Sequence, residues 1–275
     1  MDYRQTDILM PAERIPESLQ QLRYLPRPLY GQERTLPNQA IARPHRHPWV
    51  QFSYALTGVI EVRTASGRFM APPQQAVWVP AGVEHGVRSS PDAQIRSLYI
   101  DVSALPEAPT VCRVVVVDRL LRELIREFSL LPVLYEREGA QGRLVQVLLD
   151  RLLAAPESGL ILPWPSDPRL LQVCEQLQAQ PSGDWSLQDL AEQQGLSEKT
   201  LSRLFRQQTG LTFRVWRQRL RVMSALPLLE RQERVTDVAL ACGYESMSAF
   251  VAAFRDLMGQ TPGEFFRRPL GPLDE

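Results

Sequence analysis

The chain has 275 residues, of which 44% are hydrophobic and 23% charged, so it can bury substantial cores and is not a disordered polypeptide. Basic and acidic residues both number 31, which excludes a uniformly basic surface and restricts any nucleic-acid interface to a local patch. The three cysteines, Cys112, Cys174 and Cys242, are far apart in sequence and argue against a disulfide framework or a zinc finger. A charged N-terminus and the lack of any run of about 18 apolar residues predict a cytoplasmic protein without a membrane partner.

The chain shows two sequence patterns, one typical of strands and then one typical of helices. From about 29 to 117, short apolar runs stand between turn residues, a pattern typical of an antiparallel β-barrel or sandwich. From about 118, apolar residues at helical spacing predict two helices up to about 155. The segment 157–168 is rich in Pro and Gly and lacks periodicity, so we place a domain boundary there and divide the chain into 1–160 and 161–275. The predicted fold class is α+β, with a barrel domain followed by an all-α domain.

The all-α part contains a weak internal repeat. DLAEQQG at 189–195 matches DVALACG at 237–243, and FRQQTGLTF at 205–213 matches FRDLMGQTP at 254–262. Each copy predicts a helix, a glycine turn and a second helix, which is the outline of a helix-turn-helix unit. Gly195 and Gly243 are expected in a left-handed turn conformation, and Ala191 and Ala239 are small where the two helices of a unit should cross closely. Asp167-Pro168, Ser186 with Asp189, and Ser197 predict the starts of three helices. A helix from about Thr212 to Leu229 would join the two units, and Pro227 is expected to kink that helix or end it early.

A local positive charge accompanies the repeat. Residues 199–221 hold seven basic and no acidic side chains, which favours phosphate contacts over the alternative of an ordinary solvated helix face. In the first recognition helix, the faces that carry Lys199, Ser202 and Arg203 are expected to dominate base discrimination, with the second helix mainly positioning the protein. The predicted DNA-contacting residues are Lys199, Ser202, Arg203, Arg206, Arg214, Arg217, Arg219, Met247, Ser248 and Arg255.

The stretch from about 169 to 268 resembles the C-terminal domain of AraC/XylS-type transcription regulators. The resemblance rests on the double motif, the WRQRLR segment between its copies, and VTDVALACGYESMSAFVAAFRDLMGQTPGEFF. It implies two helix-turn-helix units on successive major-groove segments of double-stranded promoter DNA, with RNA polymerase as a further partner. It also implies a homodimer formed through the helices at 118–155, although these helices could instead simply pack on the barrel. The candidate contact residues are Leu121, Leu124, Phe128, Leu144, Val147 and Leu148.

All three histidines of the chain fall into one pattern. His45-x-His47 is followed by Gln51, and Pro80-x-Gly82-x-x-His85 comes later, an arrangement that resembles the two signature motifs of cupin barrels. That resemblance predicts one divalent transition metal bound by His45, His47, Gln51 and His85. The amide of Gln51 replaces the carboxylate of the family pattern, so an inherited cupin frame with unliganded, hydrogen-bonded histidines remains the alternative.

The mouth of the barrel is the expected site for a small-molecule effector. Candidate lining residues are Trp49, Phe52, Tyr54 and Trp78, although half of them could instead face outward against helices, because strand parity after Pro48 is open. The predicted function is an effector-controlled or metal-controlled transcription regulator with no catalytic residues. The alternative is a cupin metalloenzyme, a dioxygenase or isomerase, with an appended DNA-binding domain. Gln51 and the scarcity of nearby acids, Glu61 and Glu84 alone, discriminate against it.

Overall fold

A computed structural model describes residues 22, 24–31, 42–90 and 93–266 of the chain. The strands are β1 (Leu29–Tyr30), β2 (Val50–Thr57), β3 (Ile60–Thr64), β4 (Gly67–Ala71), β5 (Gln75–Val79), β6 (His85–Ser89), β7 (Gln94–Ile100), β8 (Arg113–Val116), β9 (Glu157–Ser158) and β10 (Ile161–Pro163). The helices are α1 (Arg119–Ser129), α2 (Ala140–Leu153), α3 (Pro168–Ala179), α4 (Leu187–Gln193), α5 (Glu198–Thr209), α6 (Phe213–Glu230), α7 (Val235–Ala241), α8 (Met247–Met258) and α9 (Pro262–Phe265).

The strands form two antiparallel sheets that enclose an apolar core. Sheet A has the order β1-β7-β2-β5-β8-β9, and sheet B has the order β10-β4-β3-β6. Alternate residues such as Val62, Phe69 and Val77 are buried between the sheets, as the two-residue period of a strand requires. The sheet-rich domain followed by helices confirms the predicted α+β fold class.

The outer face of sheet A is covered by α1 and α2. Phe52, Tyr54 and Trp78 lie in this second core, together with α1 and α2 residues such as Ile125 and Leu148. The prediction that these three aromatic residues line an effector pocket is therefore wrong. Side chains alternate along β2, so the face opposite to Phe52 and Tyr54 is the one that points into the barrel.

The segment predicted as an irregular linker contains regular structure. β9 pairs with β8 in sheet A, and β10 pairs with β4 in sheet B, so that Leu162 lies opposite Arg68. Sheet B consequently extends to Pro163, three residues past the boundary predicted after residue 160. The segment therefore adds two short strands to the barrel and apolar side chains to its core. Its sequence has no periodic pattern that would have predicted these strands.

The C-terminal helices begin where the sequence signals them. Asp167 caps α3 ahead of Pro168, Ser186 and Asp189 form a capping box on α4, and Ser197 caps α5. The predicted joining helix is α6, which continues to Glu230. Pro227 therefore does not end it, since three further helical residues follow the proline.

The two domains share one continuous apolar core. The indole of Trp216 on α6 packs at 5.6 Å from Trp164 and donates to the carbonyl of Pro163 at 2.7 Å. At the far end of α6, the carboxylate of Glu230 accepts a hydrogen bond at 2.8 Å from the backbone amide of Gly58 in the β2–β3 turn. The helix that joins the two helix-turn-helix units thus also contacts the barrel.

Candidate nucleic-acid interface and histidine cluster

The two helix-turn-helix units, α4–α5 and α7–α8, have the same internal construction. Gly195 and Gly243 occupy the turns with φ of 65° and 80°, a conformation that costs glycine little. Ala191 and Ala239 are buried at the equivalent helix crossings, where a small side chain lets the helices approach. The predicted turn conformation and close crossing are therefore confirmed in both units.

The first unit presents a polar and basic exposed face. Five of its predicted contact residues have exposed side chains, on α5 and on the start of α6. They are Lys199, Ser202, Arg203, Arg206 and Arg214. The opposite face of α5 carries Leu201 and Phe205, both fully buried, so the amphipathic pattern directs the basic side chains away from the core. This face can donate hydrogen bonds to phosphates and to base edges.

Two of the predicted DNA-contacting arginines are used inside the protein. Arg217 donates to the carbonyls of Trp185, at 2.7 Å, and of Gly183, while Arg219 donates to the carbonyl of Ile161 at 3.3 Å. Their assignment to DNA contact is therefore wrong. Both side chains are partly buried, and each guanidinium donates to carbonyls of a loop or strand of the protein itself, which holds it against the protein and away from a DNA contact.

The second unit presents a less polar exposed face. Met247, Ser248 and Arg255 of α8 are exposed, as a contact role requires. The hydroxyl of Thr236 on α7 donates to the Met247 sulfur at 3.7 Å, which orients this side chain at the start of α8. Apart from Ser248 and Arg255, the exposed face of α8 is mainly apolar. Apolar side chains of this kind can contact the methyl group of thymine.

The three histidines and Gln51 meet at one end of the barrel. One nitrogen from each of His45, His47 and His85 lies within 4.8 Å of the other two. The Gln51 Oε1 atom lies 2.9 Å from His47 Nε2 and 3.1 Å from His85 Nε2. Backbone hydrogen bonds between His45 and His85, both 2.9 Å, hold the two histidine segments side by side. The structure thus brings together all four residues predicted as metal ligands.

The proton of each imidazole is placed by the backbone. Nδ1 of His45, His47 and His85 donates to the carbonyl of Arg43, Trp49 and Val83 respectively, at 2.9 to 3.0 Å. Burial lowers the pKa of His47, and it lowers the pKa of His85 to about 4, so these two rings are neutral near neutral pH. A neutral ring with its proton on Nδ1 has a free lone pair on Nε2, the atom that a metal requires.

Gln51 and Ser53 complete the cluster. The Gln51 amide nitrogen donates to the Ser53 hydroxyl at 2.8 Å, which aims the amide oxygen at the two Nε2 atoms. The lone pairs of the Gln51 oxygen and of the two Nε2 atoms then point at each other with no proton between them. A cation bound between these atoms would stabilise this arrangement. A turned-over amide, donating from its nitrogen to both rings, satisfies the same atoms without a metal. Sequence reasoning missed Ser53, although its two-residue spacing from Gln51 places it on the same strand face.

Trp49 stays next to this cluster, unlike the other three aromatic residues predicted for the pocket. Its ring stacks on His47 with a centroid distance of 5.3 Å and an interplanar angle of 10°. Trp49 is 4% exposed and packs with Tyr30 and Tyr99. It therefore forms a wall of the histidine cluster and fixes the orientation of the His47 ring.

Comparisons with known proteins agree with this architecture. An AraC-like ligand binding domain matches residues 28–155, and a helix-turn-helix domain matches residues 190–268. The HTH-type transcriptional regulator NimR of Escherichia coli strain K12 is 37% identical over 224 residues, which are 82% of this chain and 82% of that protein. The HTH-type transcriptional activator RhaR of Klebsiella pneumoniae is 34% identical over 124 residues, covering 45% of this chain and 37% of that protein.

The chain was also compared with solved structures and searched for membrane-spanning helices. The crystal structure of a DNA-binding transcriptional dual regulator from Escherichia coli K-12 has 27% identity and a TM-score of 0.33, covering 36% of this chain and 88% of that chain. Among the described residues, no helix has both the length and the apolar character needed to cross a membrane. With an AraC-like ligand-binding domain ahead of its helix-turn-helix domain, the chain belongs to the AraC family of DNA-binding transcription regulators.

Proposed function

We propose that the first helix-turn-helix unit supplies most of the base discrimination on promoter DNA. The observation that carries this proposal is the exposed face of α5, where Lys199, Ser202 and Arg203 lie side by side and the exposed Glu198 in the first turn is the acidic residue next to them. Arginine and lysine donate hydrogen bonds to the major-groove edge of guanine, and the hydroxyl of serine can hydrogen-bond to more than one type of base. Exposed Arg206 and Arg214 flank this face and are assigned to phosphates.

The second unit positions the protein, with Arg255 on phosphate and with Met247 and Ser248 against bases. The joining helix α6 has 18 residues, which gives a rod of about 27 Å at about 1.5 Å per residue. Sites one turn of DNA apart are separated by about 34 Å. The rod and the helix ends together span that distance, so both units can bind one face of the duplex.

The experiment is selection of binding sites from a random duplex library with the full chain. We expect an enriched site with two segments about one helical turn apart and stronger base preference in one of them. The Arg203→Ala variant should lose preference at one position of that stronger segment. Arg143→Gln, an exposed arginine on α2, is the control and should select the wild-type site. A site unaffected by Arg203→Ala but abolished by Ser248→Ala would reverse the assignment of the two units.

We also propose that the histidine cluster binds one divalent transition metal through His45, His47, His85 and the Gln51 oxygen. Support comes from the four lone pairs that converge while every Nδ1 proton is held by a carbonyl. A metal bound there would tie the His45–His47 segment to β2 and β6. The metal would therefore act as an effector or as a stabiliser of the barrel, with a weaker affinity than a carboxylate-containing site would have.

The metal proposal is tested without a histidine tag. After reconstitution with zinc, nickel, cobalt or manganese, elemental analysis should find metal in the wild type and none in His85→Ala. Gln51→Glu should bind more tightly, because a carboxylate replaces the amide oxygen. Gln51→Leu, which removes the oxygen, is its counterpart and should bind more weakly. No metal in the wild type, together with an unchanged Tm, would leave the turned-over amide as the correct arrangement.

The assembly belongs to the same proposal. Leu120 and Val147 expose about half of their surface on α1 and α2, and we assign them to a homodimer contact that places two DNA-binding domains on adjacent sites. Leu121, Phe128 and Leu148, which the sequence also suggested for that contact, are buried in the core between sheet A and the helices. RNA polymerase is the proposed partner at an activated promoter, and the cytoplasm, where bacterial promoters lie, is the proposed compartment.

No enzymatic step is proposed. The cupin metalloenzyme alternative needs an acid or base beside the histidines. Glu61 lies on the opposite face of β3 from the inward residues Ile60 and Val62, and it accepts a hydrogen bond from Gln178 of the C-terminal domain. Glu84 is exposed. These positions support the assignment of the barrel to sensing.

A further inference from the structure

A cavity of about 310 Å³ lies between the outer face of sheet B and helices α3 and α6. Glu61, Arg63, Arg68 and Met70 line it from strands β3 and β4, and Gln178 and Ser224 line it from the helices. The strand residues alternate with the buried residues inside the barrel, so the cavity is outside the barrel and apart from the histidine cluster. Its volume is at the lower end of the range for small-molecule sites, about 300 to 1,000 Å³.

The charges in this cavity are unequal. The carboxylate of Glu61 is already used, because Arg63 pairs with it at 2.7 Å and Gln178 donates to it at 3.2 Å. Arg68, in contrast, has no carboxylate oxygen within 4.0 Å among the described residues. The lining of the interdomain cavity therefore contains two guanidinium groups and one carboxylate. Glu61 and Glu175 attract Arg68 only from beyond ion-pair distance, so no carboxylate is in direct contact with this guanidinium among the described residues.

Arg68 is held in place even without an anion. Its Nη1 donates to the carbonyl of Thr64 at 3.2 Å, and its guanidinium carbon lies 4.1 Å from the ring centre of Trp164. Burial lowers the pKa of the Arg68 guanidinium, which reflects the cost of keeping this cation partly out of water. A fixed, half-buried guanidinium needs little reorganisation to receive a planar acid group with two hydrogen bonds.

We propose that the interdomain cavity binds a small organic carboxylate, whose acid group pairs with Arg68 and whose apolar part contacts Met70 and Leu220. The proposal deepens the proposed function, on which it rests, by assigning the effector to the domain interface. Its lining comes from both domains, so the ligand binds only when they are docked. Binding therefore shifts the population toward the docked arrangement, and it acts on α6, the helix that sets the relation of the two DNA-binding units.

The experiment measures binding of two carboxylates, benzoate and hexanoate, to the full chain by calorimetry in low-chloride buffer. Benzamide and hexanamide, which have the same bodies without the charge, are the matched ligands. We expect saturable binding of at least one carboxylate and none of its amide. Arg68→Gln should weaken that binding at least about tenfold, equal to about 1.4 kcal/mol. Arg143→Gln, an exposed arginine on the helices that cover sheet A, should bind like the wild type.

A second variant keeps Arg68 and fills the space. Ser224→Phe should abolish binding while its circular dichroism spectrum stays that of the wild type. The inference is overturned if neither carboxylate binds, if the amides bind equally well, or if both Arg68→Gln and Ser224→Phe bind like the wild type. DNA affinity of the same samples separates the two proposals. Carboxylate binding without any DNA binding would contradict the proposed function alone, and DNA binding without carboxylate binding would contradict the cavity alone.

Discussion

The two helix-turn-helix units share a scaffold but differ in the surface they expose. In both, a glycine turn, a buried alanine, a serine cap and a final glycine with positive φ recur at equivalent places. On the exposed face, the first unit has Lys199 and Arg203, whereas the second has Met247 and Ser248. Core positions have to fill the same space in both copies, while exposed positions are free to take the contacts that each DNA segment requires.

The largest expected effect tests whether the scaffolds are equivalent. Phe205 and Phe254 are both fully buried at matching positions. Phe205→Ala and Phe254→Ala should each lower the free energy of unfolding by about 3–5 kcal/mol, because each leaves a cavity that the helices only partly fill. Chemical denaturation followed by circular dichroism measures the loss. A cost confined to Phe205→Ala would show that only the first unit has a tightly packed core.

The next effect tests whether the exposed faces differ. Arg203→Ala should cost about 1–3 kcal/mol of binding free energy on the selected site and relax base preference at one position. Ser248→Ala should cost less, because a serine makes a single hydrogen bond. Titrations with wild-type and single-substituted duplexes, by fluorescence anisotropy at one salt concentration, give both values. Equal losses would mean that both units discriminate bases to the same degree.

Helix caps test whether the two recognition helices are stabilised in the same way at their N-termini. The Ser197 and Ser246 side chains each accept a hydrogen bond from a backbone amide in the first turn of the recognition helix. Ser197→Ala and Ser246→Ala should each lower the free energy of unfolding by about 1 kcal/mol. Ser197→Asp and Ser246→Asp, which retain a cap acceptor, are the controls and should recover most of this stability. Thermal unfolding provides the measurement, and no change in either alanine variant would show that water replaces the cap.

The smallest expected effect separates exposed from internal arginines. Arg206→Gln should reduce the slope of log affinity against log salt by about one, which changes affinity about three- to fourfold between 50 and 200 mM salt. Arg217→Gln should leave that slope unchanged while it lowers the Tm, because this guanidinium binds the 183–185 loop. DNA-binding isotherms at several salt concentrations measure the slope for each variant. A smaller slope in Arg217→Gln would place that side chain on the phosphates after all.

Local signals explain why much of the C-terminal domain could be predicted. Caps, glycine turns and helical periodicity operate within about four residues, so Ser186, Ser197, Gly195 and the repeat were sufficient to place the helices. Two-residue spacing likewise predicts that His45 and His47 point to one side, and both lie ahead of β2, where His45 forms a single β-bridge with His85. The structure brings these residues together with His85 and Gln51, as the resemblance to the cupin motifs implies.

Contacts between residues far apart in sequence, in contrast, were settled by tertiary packing. Phe52, Tyr54 and Trp78 face α1 and α2, not the barrel mouth, because an apolar aromatic residue fits either face of a strand until another element covers it. Arg217 and Arg219 bind carbonyls that are more than 30 residues away, and Arg68 meets α6 only after the domains dock. Sequence patterns therefore sufficed for the C-terminal helices and for the family resemblance, but not for β9 and β10. The burial of each side chain was decided by three-dimensional packing, since contacts between distant segments leave no local pattern.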